Sequence, residues 1–84
     1  MFDIKLFGTR LLSLREAKKV PQSAVAKVLG FTRTQLSDLE NGKIGTTLPR
    51  LVMLAEFYHV STDYLLGITD DPTWRGKDHE EESL

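Results

Sequence analysis

The residues that forbid one long helix fall at short intervals through an otherwise helical pattern: Pro21, Gly30, the pair Asn41-Gly42, Pro49 and Gly67. Proline lacks the amide N–H and clashes with the preceding turn, although it suits a helix's first turn. Glycine adopts the left-handed backbone that commonly follows a helix end. No period-2 alternation is sustained anywhere, so the chain is limited to several short helices.

Between these breaks the apolar spacing predicts five helices. Phe7, Leu11, Leu14 and Lys18 stand at i, i+4, i+7 and i+11, with Ile4 and Leu12 broadening the stripe, which gives a first helix over roughly 4–19. A second, over about 22–29, buries Val25, Ala26 and Leu29. Thr32 caps a third over about 33–41, which stops at Asn41-Gly42. After the loop KIGTT, Thr47 caps a fourth with Pro49 in its first turn and Leu48, Leu51, Val52, Ala55 and Tyr58 as its buried stripe. Ser61 caps a short fifth that buries Tyr64 and Leu65 and ends at Gly67. Residues 1–69 therefore form one helical domain. Residues 70–84, DDPTWRGKDHEEESL, are polar and acidic and are expected to be a flexible tail.

Composition narrows the function. With 84 residues the chain makes one small domain near the lower limit for folding on a hydrophobic core. It has no cysteine, which excludes disulfides and thiolate metal sites. No apolar run approaches the roughly 18 residues of a membrane span, and the start lacks a signal-peptide layout, so a cytoplasmic location is expected. The net charge of -1 conceals a division. Residues 1–50 hold nine basic and four acidic side chains; residues 51–84 hold two basic and eight acidic. A polyanion responds to the local field, so the basic half is able to bind phosphates despite the total. An enzyme is not expected: His59 and His79 are isolated, and no glycine-rich phosphate loop or catalytic grouping is present. No cofactor or metal is expected either.

Residues 22–41 work as one unit. Two helices joined by a short glycine-containing turn make a helix-turn-helix, which needs a small residue at the helix crossing (Ala26), a turn residue tolerating positive φ (Gly30) and apolar anchors behind (Val25, Leu29, Phe31, Leu36, Leu39). At about 100° per residue from Arg33, Ser37, Asn41, Thr34 and Asp38 fall at ~40°, ~80°, ~100° and ~140°, against Leu39 at ~240° and Leu36 at ~300°. One face is thus apolar and the opposite arc is purely hydrogen-bonding. Glu40, at ~340°, leans to the apolar side, where a lone carboxylate is costly and needs a partner.

The segments RLLSLREAKKVPQSAVAKVLGFTRTQLSDLENG and VSTDYLLGITDDP resemble the lambda-repressor-like, Cro/C1-type (XRE) helix-turn-helix family over about Lys5 to Pro72. The resemblance implies an all-α, compact five-helix bundle that represses transcription, typically as a dimer on palindromic operators. It places Arg33 and Thr34 at the base-reading start of the recognition helix, where arginine pairs with guanine and threonine's methyl packs on thymine's. Arg33 could equally serve a phosphate. Ser37 and Asp38 lie one turn deeper; an aspartate accepts from cytosine N4 and restricts sequence choice more than it adds affinity, unless it is used locally against Thr34. The family position of Gln22 implies a hydrogen bond to a DNA phosphate. Asn41 and Lys43 match positions near the DNA backbone, with a helix cap and a solvated charge as their alternatives. Arg10 and Arg50 are peripheral phosphate candidates. The resemblance also implies that Arg15 is the partner of Glu40.

The expected protein is a repressor that binds double-stranded DNA as a homodimer, with no membrane attachment and no evident small-molecule effector domain. Trp74 is either a dimer anchor or folded back on its own domain. The alternative from another class is an antitoxin or protein-interaction module using the same fold, its acidic tail wrapping a partner.

Overall fold

The computed structural model describes residues 1–76. It contains α1 (Ile4–Lys18), α2 (Gln22–Leu29), α3 (Arg33–Glu40), α4 (Leu48–Tyr58) and α5 (Thr62–Leu66), and no strand among the described residues. The caps follow from local chemistry. Thr32 and Gln35 form a reciprocal box: the Gln35 N–H donates to Thr32 Oγ1 at 3.0 Å, and the Thr32 N–H to Gln35 Oε1 at 2.9 Å. Thr47 and Ser61 accept from the N–H groups of Arg50 and Tyr64. Asp3, which the apolar pattern did not single out, caps α1 by accepting from the Leu6 N–H. Helix ends turn left-handed at Lys19, Gly30, His59 and Gly67.

The helices enclose one core built from Phe7, Leu11, Val25, Ala26, Leu29, Phe31, Leu36, Leu39, Leu51, Leu54, Ala55, Tyr58, Val60 and Leu65. The fourth helix corrects its expected stripe. Leu48 and Val52 are 77% and 48% exposed, whereas Leu54, absent from that stripe, is fully buried. The buried set is Leu51, Leu54, Ala55 and Tyr58, the i, i+3, i+4, i+7 spacing of a single face. Leu48 lies at the helix start, on a rim depression with Phe2, Phe7 and Leu66. Val52 is one step round the helix from Leu51, towards a cleft shared with Trp74. Lys18, the last member of the first expected stripe, is exposed, with its ammonium 5.8 Å from the Phe57 ring centroid.

Gly8 sets how closely α1 approaches α3. A Cβ at this position would stand 2.5 Å from the Leu39 carbonyl oxygen, 2.7 Å from that of Glu40 and 2.9 Å from the Gly42 nitrogen. The first helix therefore packs backbone-to-backbone on the end of the third. Residues 70–76 run back over the domain: the Ser61 N–H donates to the Pro72 carbonyl at 3.2 Å, and Trp74 stacks on His59 with centroids 5.0 Å apart. The rest of the expected tail, residues 77–84, lies outside the described residues.

Candidate nucleic-acid interface

Three features aim the outer face of α3. Gly30 ends α2 with φ 73° and donates its N–H to the Ala26 carbonyl; Phe31 donates to the same oxygen at 2.9 Å. The turn is thereby fixed, and the Thr32–Gln35 box starts α3 immediately after it. Behind, Leu36 and Leu39 are buried. The face that remains carries Arg33 and Thr34, both exposed, and Ser37 and Asp38, both half-buried.

The structure brings these four together with Gln22. They line a depression of about 200 Å³, and a second of about 310 Å³ beside it is lined by Arg15, Pro21, Gln22, Ser23 and Arg33. The start of α2, which carries no side-chain cap, borders this second depression. Uncapped N–H groups at a helix start favour anions. The Asp38 carboxylate makes no hydrogen bond or ion pair among the described residues, so the local contact with Thr34 is not formed.

Glu40 is 5% exposed and does not stand alone. Arg15 donates to it twice, Nε to Oε2 at 2.7 Å and Nη2 to Oε1 at 3.2 Å, and gives its Nη1 to the Val20 carbonyl at 2.9 Å. The hydrogen bond to Glu40 holds the Arg15 guanidinium above its ordinary pKa, outweighing the opposite effect of burial. Tyr58 lies in the same electrostatic environment. Burial first, and then the Glu40 charge, push its phenol up to about 12, and its hydroxyl has no hydrogen-bond partner among the described residues.

At the end of α3, the Asn41 amide donates to Ser37 Oγ at 3.3 Å and its carbonyl accepts from Lys5 Nζ at 3.2 Å. Lys5 is a cation at this helix end that the sequence pattern did not mark; a positive charge there suits the dipole. Lys43 is exposed, its backbone tied to the Asp38 carbonyl. Arg50 stacks on Phe31 at 4.5 Å, donates to the Gly30 carbonyl at 3.4 Å, and lines a separate depression with Gln35 and Ile44.

Arg10 does not belong with the phosphate candidates. Its side chain is 11% exposed, and its guanidinium donates to the carbonyls of Tyr64 and Thr69 and to the Asp70 carboxylate at 2.6 Å. It also covers the Tyr64 ring at 4.1 Å. With those donors committed, it holds the chain after α5 in place.

Two helices fixed at a glycine turn, the second offering a polar face, define a helix-turn-helix protein. The family model described as helix-turn-helix matches residues 11–65, and the chain belongs to that family, of the lambda-repressor-like Cro/C1 type. This is a family of DNA-binding transcription regulators rather than enzymes. An uncharacterised HTH-type transcriptional regulator of Bacillus subtilis, YobD, is 37% identical over 67 residues, covering 80% of this chain and 60% of the relative. The ImmF control region 10 kDa protein of Bacillus phage phi105 is 40% identical over 57 residues, 64% of this chain and 63% of that protein. The chain thus matches about three fifths of the length of these relatives. Among solved structures, the P22 c2 repressor in complex with a synthetic operator has a TM-score of 0.70 at 30% identity, covering 73% of this chain and 92% of that one. The restriction-modification controller protein C.AhdI of Aeromonas hydrophila has a TM-score of 0.68 at 30% identity, over 75% and 96%.

Proposed function

We propose that this protein is a transcriptional repressor that occupies a palindromic operator as a homodimer, with α3 in the major groove. The observation that carries the reading is the convergence of Arg33, Thr34, Ser37, Asp38 and Gln22 on one face. That face combines donors for phosphate with side chains of the right length and chemistry for base edges. Arg33 and Thr34 stand in the first turn of α3, where a recognition helix meets bases, and Asp38 sits behind them as an acceptor for cytosine N4. Gln22, the α2 start, Asn41, Lys43 and Arg50 serve the backbone on either side. The solved P22 c2 repressor complex supports this reading, because there a repressor of the same fold is bound to a synthetic operator. Two copies would read half-sites about one helical turn apart, and occlusion of a promoter would follow from occupancy. Such a protein works where the DNA is, in the cytoplasm; no helix among the described residues is long and apolar enough to cross a membrane.

The test is selection from a random duplex pool at fixed, stated salt. A palindromic motif, with affinity falling steeply as salt rises, is the expected result. No enrichment, together with salt-insensitive binding, would remove the DNA-reading assignment.

A further inference from the structure

We infer that Glu40 is a positioning residue for Gln22, fixing which end of its amide meets DNA. The inference rests on the operator-binding reading above. Gln22 Nε2 donates to Glu40 Oε1 at 2.9 Å, the same oxygen that receives Arg15 Nη2. A carboxylate only accepts, so Gln22 must turn its nitrogen, not its carbonyl, towards Glu40. The flipped amide would set oxygen against oxygen beside a buried charge. Glu40 cannot rotate away to relieve this, because Arg15 grips both its oxygens and is itself anchored on the Val20 carbonyl. The amide nitrogen keeps a second N–H, and Gln22 sits on the rim shared by the two depressions flanking Arg33. A phosphate oxygen, like the carboxylate, only accepts. One nitrogen is thus placed between two acceptors, the buried carboxylate on the inside and the DNA backbone on the outside. The ion pair that joins α1 to α3 thereby also makes Gln22 a donor of fixed orientation.

The experiment compares wild type, Gln22→Ala, Glu40→Gln and the double variant on the duplex selected from the random pool and on a scrambled duplex. Gln22→Ala is expected to weaken both duplexes by a similar factor, about tenfold, because the contact is to backbone. Its salt slope should stay unchanged, because a neutral amide displaces no counterion. Glu40→Gln is expected to weaken binding several-fold in the wild-type background and to add little once Gln22 is alanine. An equal loss from Glu40→Gln in both backgrounds would mean that it acts through the fold alone, and would overturn the inference. Because Glu40→Gln also removes the charge paired with Arg15, the free wild-type protein supplies a second reading. The Gln22 side-chain amide proton held by Glu40 should exchange with water several-fold more slowly than those of the exposed Gln35 side chain; equal exchange overturns the lock without reference to DNA. Failure of the operator reading looks different: wild type itself would then select no sequence, whatever the state of the amide.

Discussion

At the residue scale, the proposed operator reading separates side chains on and beside the outer face of α3 that choose sequence from those that add grip. Arg33→Ala should cost roughly 1–3 kcal/mol on the selected operator and relax the motif at one position. Lys43→Ala should instead weaken all duplexes alike and lower the salt slope by about one. Asp38→Ala should broaden the selected motif with little loss of affinity, since the carboxylate has no partner among the described residues and opposes phosphates. Unchanged motifs for both Arg33→Ala and Asp38→Ala would refute the reading face. The Tyr58 hydroxyl gives a stability prediction. Its folded pKa of about 12 lies above the usual phenol value of 10.0, so its protonated form favours the folded state below pH 10, and that contribution is lost as pH rises towards 12. Tyr58→Phe should remove this part of the alkaline destabilisation. At neutral pH it should leave the melting temperature unchanged or higher, because a buried hydroxyl without a partner is deleted. Denaturant melts at pH 8 and pH 11 for both proteins check it.

Within the elements, close approach outweighs propensity. Alanine normally suits a helix interior better than glycine, by about 1 kcal/mol. Gly8→Ala should nonetheless destabilise, because its methyl would meet three backbone atoms of the Leu39–Gly42 segment that cannot step aside. A higher melting temperature for Gly8→Ala would show that α1 and α3 are not packed as described. Thr32→Ala should cost about 1 kcal/mol by removing half of the α3 capping box. These two sites mark the limit of what the sequence discloses. The five helices, their caps at Thr32, Thr47 and Ser61, and the polar arc of α3 are written in neighbouring residues, where spacing and cap chemistry are local. Glycine inside a helical pattern signals a close contact, yet nothing nearby names α3 as its partner. Arg10 reads like any basic residue because its acceptors lie 54, 59 and 60 positions away. For α4, where apolar residues crowd the helix on several sides, the expected stripe took in Leu48 and Val52 and passed over Leu54, and packing reversed those three. A carboxylate on the apolar side of α3 announces that a partner is required; its additional hold on Gln22 depends on how α2 is docked.

Across the whole molecule, the charge division and the returning segment 70–76 act at opposite ends. The basic first fifty residues hold the surface proposed to face DNA, so association should depend strongly on salt although the net charge is only -1. The segment after α5 is fastened by Arg10 to Thr69 and Asp70, by Ser61 to Pro72, and by the packing of Trp74. A chain ending at Thr69 should melt at lower temperature, yet select the same DNA motif as the full chain. A changed motif would show that this segment takes part in reading. Trp74 is the one tryptophan in the sequence, and it lies on His59 rather than beside α3. Intrinsic emission from this protein therefore monitors the lashing of the segment to the end of α4. It is an optical channel separate from operator occupancy, and its midpoint in a denaturation series need not coincide with that of the helical signal.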